Sequence, residues 1–262
     1  MAEPQIRFDD GAAYERMMGA WSRLAGESFL AWLAPSRGLR WIDIGCGNGA
    51  FTQLLIEHCA PAEVHGIDPS EGQLAFARAR PQARMAQFRQ ADAMALPFPD
   101  HRFDAAVMAL VIFFVPDPVK GVAEMTRVVR PGGTVAAYVW DILEGGAPHE
   151  PIHAEIRHMG VRPLLPPSAP ASRMTALHDL WRSAGIGDLE TRQITVRRTF
   201  ADFDEFWTIN ATAPSLAPTI AALPSADAAL LKQRVRARLP TDAAGHITYE
   251  ARANAVKGRL PG

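Results

Sequence analysis

Asp43, Gly45, Gly47 and Gly49 alternate along the chain, directly after the apolar pair Trp41-Ile42 and just before a second apolar run of Phe51, Leu54 and Leu55. Glycines at this spacing let the backbone turn tightly and let a ligand approach the main chain. A helix that starts there points its unpaired N–H groups back at the loop and so favours an anionic group. That is the chemistry of a nucleotide-type cofactor seat, and two cofactors compete for it. Gly45-x-Gly47-x-x-Ala50 satisfies the dinucleotide pattern G-x-G-x-x-G/A, and Asp68 follows at about the distance of a ribose-binding acid. Asp43 argues for S-adenosylmethionine instead. A carboxylate two residues before the first glycine suits a ligand carrying an amino group and a sulfonium, and it repels a pyrophosphate.

Three further stretches follow in order: Gly66-Ile67-Asp68-Pro69-Ser70, then Ala91-Asp92-Ala93-Met94 through Leu96-Pro97-Phe98 to Phe103-Asp104, and last Arg130-Pro131-Gly132-Gly133. With these added to Asp43-Ile44-Gly45-Cys46-Gly47-Asn48-Gly49, the chain resembles the class I S-adenosylmethionine (SAM)-dependent methyltransferases. The likeness is strongest to the group similar to the ubiquinone/menaquinone-biosynthesis (type 11-like) enzymes. It covers residues 10–140 clearly and the rest loosely. It implies an α/β fold: a seven-stranded, mostly parallel Rossmann-like sheet of order 3-2-1-4-5-7-6, its closing strand antiparallel, with helices on both faces and a small helical cap. It also implies SAM as cofactor and S-adenosylhomocysteine as product.

The resemblance assigns residues to that cofactor. The loop itself would supply Asp43, Gly45, Cys46, Gly47, Asn48 and Gly49. Asp68 would accept from the two ribose hydroxyls, with Pro69 beside it, although Asp68-Pro69-Ser70 also reads as a helix cap. Gln73 and Leu74 would line the adenine side. Asp92 would accept the adenine amino group, the backbone N–H of Ala93 would meet a ring nitrogen, and Met94 would pack on the ring; the other reading of Asp92 is a turn residue. Ala109 would lie at the end of the fourth strand. From the leading helix, Tyr14, Trp21 and Arg23 would reach the methionine end, Arg23 pairing with its carboxylate or standing as a solvated charge.

The elements that must position these groups are read from periodicity and breakers. Residues 10–34 carry Tyr14, Met17, Met18, Trp21, Leu24, Phe29, Leu30 and Leu33 at helical spacing. Strands are expected at 39–44, 64–68, 83–89, 103–110, 134–140, 188–200 and 245–256. Helices are expected at 49–60, 119–129 and 176–184, with Arg130-Pro131-Gly132-Gly133 as a stop. Residues 141–171, rich in Pro, Gly and His, read as a lid on the ligand rim. Residues 201–240, broken by Pro214, Pro218 and Pro224, read as a helical cap with Phe206, Trp207 and Ile209 facing in. The whole, residues 1–262, reads as a single domain.

Composition narrows the function. A net charge of −1 supplies no field for nucleic acid or anionic lipid. Cys46 and Cys59 make neither a disulfide framework nor a metal spacing. The first ten residues are polar and acidic, unlike a signal peptide, and the apolar run 105–115 is too short to span a bilayer. A cytoplasmic location is expected, with no nucleic-acid or membrane partner and no signal of an oligomeric state. Related enzymes acting on base amino groups often carry Asn/Asp-Pro-Pro-aromatic after the fourth strand. Here the chain reads Ala109-Leu110-Val111-Ile112-Phe113-Phe114, with Phe113 and Phe114 as acceptor-pocket or core residues.

The expected reaction is methyl transfer to a small, partly apolar molecule at O, C or N, by in-line displacement and mainly by positioning. An NAD(P)-dependent oxidoreductase and a non-catalytic SAM-binding protein remain as alternatives. No catalytic residue is assigned. Asp141, His149 and His153 are base candidates by position alone, the histidines reading more simply as surface or locally satisfied groups, and no metal set is evident.

Overall fold

The computed structural model describes residues 11–262, so the polar stretch read against a signal peptide, residues 1–10, lies outside the described residues. Seven strands form one sheet: β1 (Arg40–Ile44), β2 (Glu63–Asp68), β3 (Gln87–Gln90), β4 (Phe103–Ala109), β5 (Val129–Trp140), β6 (Gly187–Phe200) and β7 (Ile247–Arg259). Their order is β3-β2-β1-β4-β5-β7-β6. The first five pair in parallel, and β7 runs antiparallel between β5 and β6, as expected. The helices are α1 (Gly11–Leu33), α2 (Ala50–Cys59), α3 (Glu71–Arg78), α4 (Pro118–Val128), α5 (Glu150–His158), α6 (Met174–Ser183), α7 (Phe203–Asn210), α8 (Ala217–Ala222) and α9 (Ser225–Arg238).

The strand order reverses between β1 and β4. Right-handed crossovers therefore put α2 and α3 on one face and α4 on the other, and they open a crevice at the carboxyl ends of β1 and β4. α1 packs with α2 and α3, and α4 packs with α6. Covered on both sides, β4 is buried along nearly its whole length, which is why its sequence is apolar without alternation. α1 crosses the sheet from top to bottom. Phe29 meets Tyr138 of β5 at 4.6 Å, and at its lower end the Lys257 ammonium of β7 donates to the Trp32 carbonyl.

Three boundaries differ from the sequence expectation. β3 begins only at Gln87, because Ala83–Met85 closes into a 3-10 turn through Ala83 N–H on Arg80 O and Met85 N–H on Gln82 O. β5 begins at Val129. Phe103 pairs with Val129 and Ala105 with Thr134, so Arg130-Pro131-Gly132-Gly133 is a bulge within the strand. Gly132 has φ 70°, and a Cβ on Gly133 would come within 2.8 Å of Asp104 O, which fixes glycine at both positions. The proline-rich stretch expected as a lid holds a nine-residue helix, α5, whose Ile152, Ala154 and Ile156 are buried.

A polar latch holds α1 to the glycine loop. Asn48 Nδ2 donates to Glu15 Oε2 (2.7 Å), and Arg80 donates to the same carboxylate, to the Asn48 carbonyl (2.6 Å) and to Gln53 Oε1 (2.9 Å). Arg80 is mostly sheltered, so its bonds to charged partners are worth about 1.5–3 kcal/mol in all. Arg80→Ala is expected to speed amide hydrogen exchange in residues 11–20 and leave the central strands protected. Unchanged exchange there would discount the latch.

Candidate active site

The loop after β1 is fastened to the end of β2. Gly45 N–H and Cys46 N–H both donate to Ile67 O at 2.8 Å, and Gly47 N–H donates to Asp68 Oδ2 at 2.9 Å. Gly45 and Gly47 have φ 73° and 52°, a region side chains rarely adopt. Their surroundings differ. A Cβ at Gly45 would strike Val111 at 2.5 Å, whereas a Cβ at Gly47 would find nothing nearer than Gln73 Oε1 at 3.8 Å. The loop is closed below and open above, on the side of Gln73. Gly49, with φ 78°, precedes the first residue of α2.

Asp68 is buried at the strand end, and its Oδ1 accepts from Ser70 N–H at 2.8 Å. The helix-cap role belongs to Ser70, whose hydroxyl accepts from Gln73 N–H. Ala91 N–H donates to Asp68 O and Gln90 Nε2 to Pro69 O. These bonds bring the Asp92-Ala93-Met94 turn beside Asp68 and Pro69. Asp92 is exposed and its Oδ1 accepts from Met94 N–H at 2.8 Å, so the turn reading of this residue is realised. Ala109 ends β4, and the next residue, Leu110, takes φ 64° while its N–H donates to Tyr138 O. That uncommon conformation carries the chain across so that Val111 covers Gly45.

Asp43 is fully buried. Its Oδ2 accepts from the Thr52 hydroxyl at 2.6 Å and its Oδ1 has no partner. Burial, with the negative charge of Asp68 adding, pushes its carboxyl up to about 7. From α1, Tyr14 is half-buried, within hydrogen-bonding distance of Ser22 and close enough to feel the charge of Asp68. Trp21 is wholly buried and lies edge-on to Trp140 at 6.5 Å.

Three expected groups point elsewhere. Arg23 is exposed and pairs with Glu27 (2.9 Å) and Glu57 (3.5 Å). Two residues beyond the inward Trp21 is about 200° round a helix, so it faces away from the loop. The Asn48 side chain is spent in the latch to Glu15. Cys46 turns its thiol under Gly66, and burial pushes that thiol up, leaving only its backbone to the loop.

Just past β5, Asp141 is buried with Oδ1 unpartnered and Oδ2 3.6 Å from Arg252. The reading of His149 and His153 as surface or satisfied groups is overturned. His149 is buried, both Nε2 atoms are sealed from solvent without a partner, and the rings stand nearly perpendicular at 6.2 Å. Burial pushes them down to about 3 and about 4, so both are neutral at pH 7. Phe113 and Phe114 meet edge-on at 4.4 Å, and Ser168 N–H donates to Phe113 O. The buried stripe of α7 is Phe203, Phe206 and Asn210, with Trp207 and Ile209 only half covered. Helical spacing aims 203, 206 and 210 one way, so of the expected trio only Phe206 is buried. No local pattern signals Thr52, Val111 or Trp140, because each acts through a side-chain contact with another element: Asp43, Gly45 and Trp21 respectively. Among the described residues no group of three or more His, Cys, Asp or Glu is placed to hold a metal ion.

The Asp43 shift has a testable sign. Below about pH 4 the folded and unfolded chains are both protonated here, and burial costs little. Between there and pH 7 the folded chain keeps a proton that the unfolded chain has lost. The group's contribution to stability therefore falls as pH rises through about 7, by up to roughly 4 kcal/mol. Asp43→Asn keeps an acceptor for Thr52 and removes the titration. It is expected to raise the melting temperature at pH 8 and to raise it less at pH 5; equal melting of variant and parent at both pH values would refute the buried charge.

Comparison with known proteins bears on the fold and its central domain. Residues 42–137 match the methyltransferase domain family. The chain is 41% identical over 96 residues to a demethylmenaquinone methyltransferase of Thermus thermophilus, covering 36% of this chain and 44% of that one. It is 30% identical over 164 residues to a 2-phytyl-1,4-naphtoquinone methyltransferase of Synechococcus elongatus, covering 61% and 66%. It spans only 38% of the length of the first curated relatives it matches, which are mycobacterial. Phosphoethanolamine N-methyltransferase 2 of Haemonchus contortus, solved with phosphomonomethylethanolamine and S-adenosylhomocysteine, shares the fold. The TM-score is 0.58 at 19% identity, over 96% of this chain and 57% of that one. Residues 42–137 thus carry a methyltransferase domain, and the sheet built around them has the strand order expected from the class I SAM-dependent methyltransferases that the chain resembles.

Proposed function

We propose that this chain binds SAM in the crevice above β1 and β4 and transfers its methyl group to a small, partly apolar molecule. The observation that carries the reading is the buried Asp43 carboxyl with an unpartnered oxygen beneath a glycine loop that is open above. A carboxyl so placed costs stability by itself and gains from a ligand that brings a positive charge and N–H donors. It disfavours a pyrophosphate. When bound, SAM supplies a methyl group already activated on a cationic sulfur.

The chain's own residues bind and orient. The backbone of Gly45 to Gly49, with Asp43 beneath and Tyr14 and Trp21 from α1, holds the methionine end. Asp68 and Pro69 take the ribose. Gln73, Asp92, Ala93 and Met94 take the adenine, and Ala109 floors the crevice. Arg23 is left out, since Glu27 and Glu57 already hold it. Residues 10–34 cover the cofactor, 141–171 form a lid and 201–240 a cap, within one domain of residues 1–262. Aligning acceptor and methyl group in line can supply about 7–11 kcal/mol of the barrier. The names of the Thermus and Synechococcus relatives favour a ring compound as acceptor. Among the described residues no helix is long and apolar enough to cross a membrane, which agrees with a cytoplasmic enzyme and a small-molecule partner.

Calorimetric titration with SAM, S-adenosylhomocysteine and NAD(H) in parallel tests the cofactor. The two adenosyl-sulfur ligands are expected to bind at roughly micromolar Kd and NAD(H) not at all; binding of NAD(H) alone would overturn the proposal. Gly47→Val, which fills the open side of the loop, and Asp68→Ala are each expected to weaken S-adenosylhomocysteine by more than about tenfold, or about 1.4 kcal/mol, with the fold retained. Unchanged affinity in both would reject these residue assignments.

A further inference from the structure

Four buried nitrogens have no hydrogen-bond partner: Nε1 of Trp21, which also borders the proposed methionine end, Nε1 of Trp140, and Nε2 of His149 and His153. They are joined by contact. Trp21 lies edge-on to Trp140, and its ring centroid is 5.2 Å from that of Tyr249. The Tyr249 hydroxyl donates to the Pro148 carbonyl at 2.6 Å, and His149 is the next residue. His153 follows one helical turn on, its ring perpendicular to that of His149. Each buried polar atom left unpaired costs about 1–3 kcal/mol, so a run of them calls for a polar partner that the chain itself does not supply. The indoles can only donate. The imidazoles, neutral at pH 7, can each accept. The surrounding rings of Trp21, Trp140, Tyr249, Phe200 and Phe206 are apolar.

We propose that His149 and His153 receive the proton of a phenol- or enol-type hydroxyl on a neutral acceptor, so that the reaction is an O-methylation; this rests on the methyl-transfer reading above. The hydroxyl oxygen forms a bond to the methyl carbon. The carbon–sulfur bond breaks and its electron pair stays on sulfur, giving a neutral thioether. The O–H proton passes to an imidazole Nε2, and from there to water once the methyl ether leaves. One positive charge vanishes at sulfur as one arises on the histidine pair, so the buried site never gains net charge. Depressed basicity keeps the rings unprotonated between turnovers. Among hydroxyls, a phenol, near the pKa of about 10 of a tyrosine side chain, gives up its proton to such a pair far more readily than an alkyl alcohol.

The test is mass-spectrometric detection of methyl transfer from SAM, by the full chain, to a panel of one- and two-ring phenols with matched anilines, benzoic acids, alkyl alcohols and methyl ethers. Methyl ethers of phenols alone are the expected products. His149→Gln and His153→Gln are each expected to lower turnover about 100-fold, with S-adenosylhomocysteine affinity within twofold of the parent and melting retained. Methylation at nitrogen, carbon, carboxylate or alkyl hydroxyl would overturn the proposal. So would full turnover in both variants, or no transfer to any probe by a chain that binds S-adenosylhomocysteine. Failure of the parent chain to bind that ligand would instead remove the methyl-transfer reading beneath it. Should a variant unfold, the panel on the parent chain decides.

Discussion

The site depends on how the loop after β1 is tied to the end of β2. Ile67 O takes two N–H groups from Gly45 and Cys46, and the Asp68 carboxylate takes a third from Gly47. These bonds hold Gly45 and Gly47 at positive φ and draw the loop out of the crevice mouth. They also fix Asp68 at the rim before any ligand arrives. A loop already held in its working shape loses little conformational freedom on binding, and that saving goes to affinity.

The elements around the loop close it from below and from the side of α1. Val111 fills the space under Gly45 because Leu110 adopts a left-handed conformation at the end of β4. α1 lies across the sheet and is latched through Glu15, Asn48 and Arg80. Its apolar stripe reaches from Phe29 on Tyr138 up to Trp21 on Trp140 and Tyr249. One helix therefore spans the proposed cofactor and acceptor ends, and it does so through ring contacts with β5 and β7. The same enclosure leaves Asp43, Asp141, His149 and His153 with unpartnered atoms out of water. Low solvent access raises the carboxyls of Asp43 and Asp141 and lowers both imidazoles, each toward its neutral form. The two imidazoles are thus neutral near pH 7, and burial lessens the negative charge of the two carboxyls.

The acid, the three glycines, Asp68 and the unbroken apolar run of β4 could be read directly, because each is a local demand of the backbone or of burial on two faces. The strand order followed from resemblance and is the order observed. Boundaries were legible where a breaker acts alone and failed where pairing overrides it. Pro131 and Gly132 look like a stop, yet the chain re-enters register at Thr134 because β4 and β7 on either side hold it.

What the sequence determined by itself is therefore the fold class, the loop and the acid beyond it: short-range features whose spacing is their function. The tertiary structure alone decided that Arg23 is occupied by Glu27 and Glu57, that Asn48 serves α1, and that His149 and His153 are sealed with unpartnered nitrogens. A charged or titratable side chain takes its role from what lies within a few ångströms of it, and those neighbours come from distant parts of the chain. Composition and spacing give its chemistry, and only packing gives its partners and the solvent it loses.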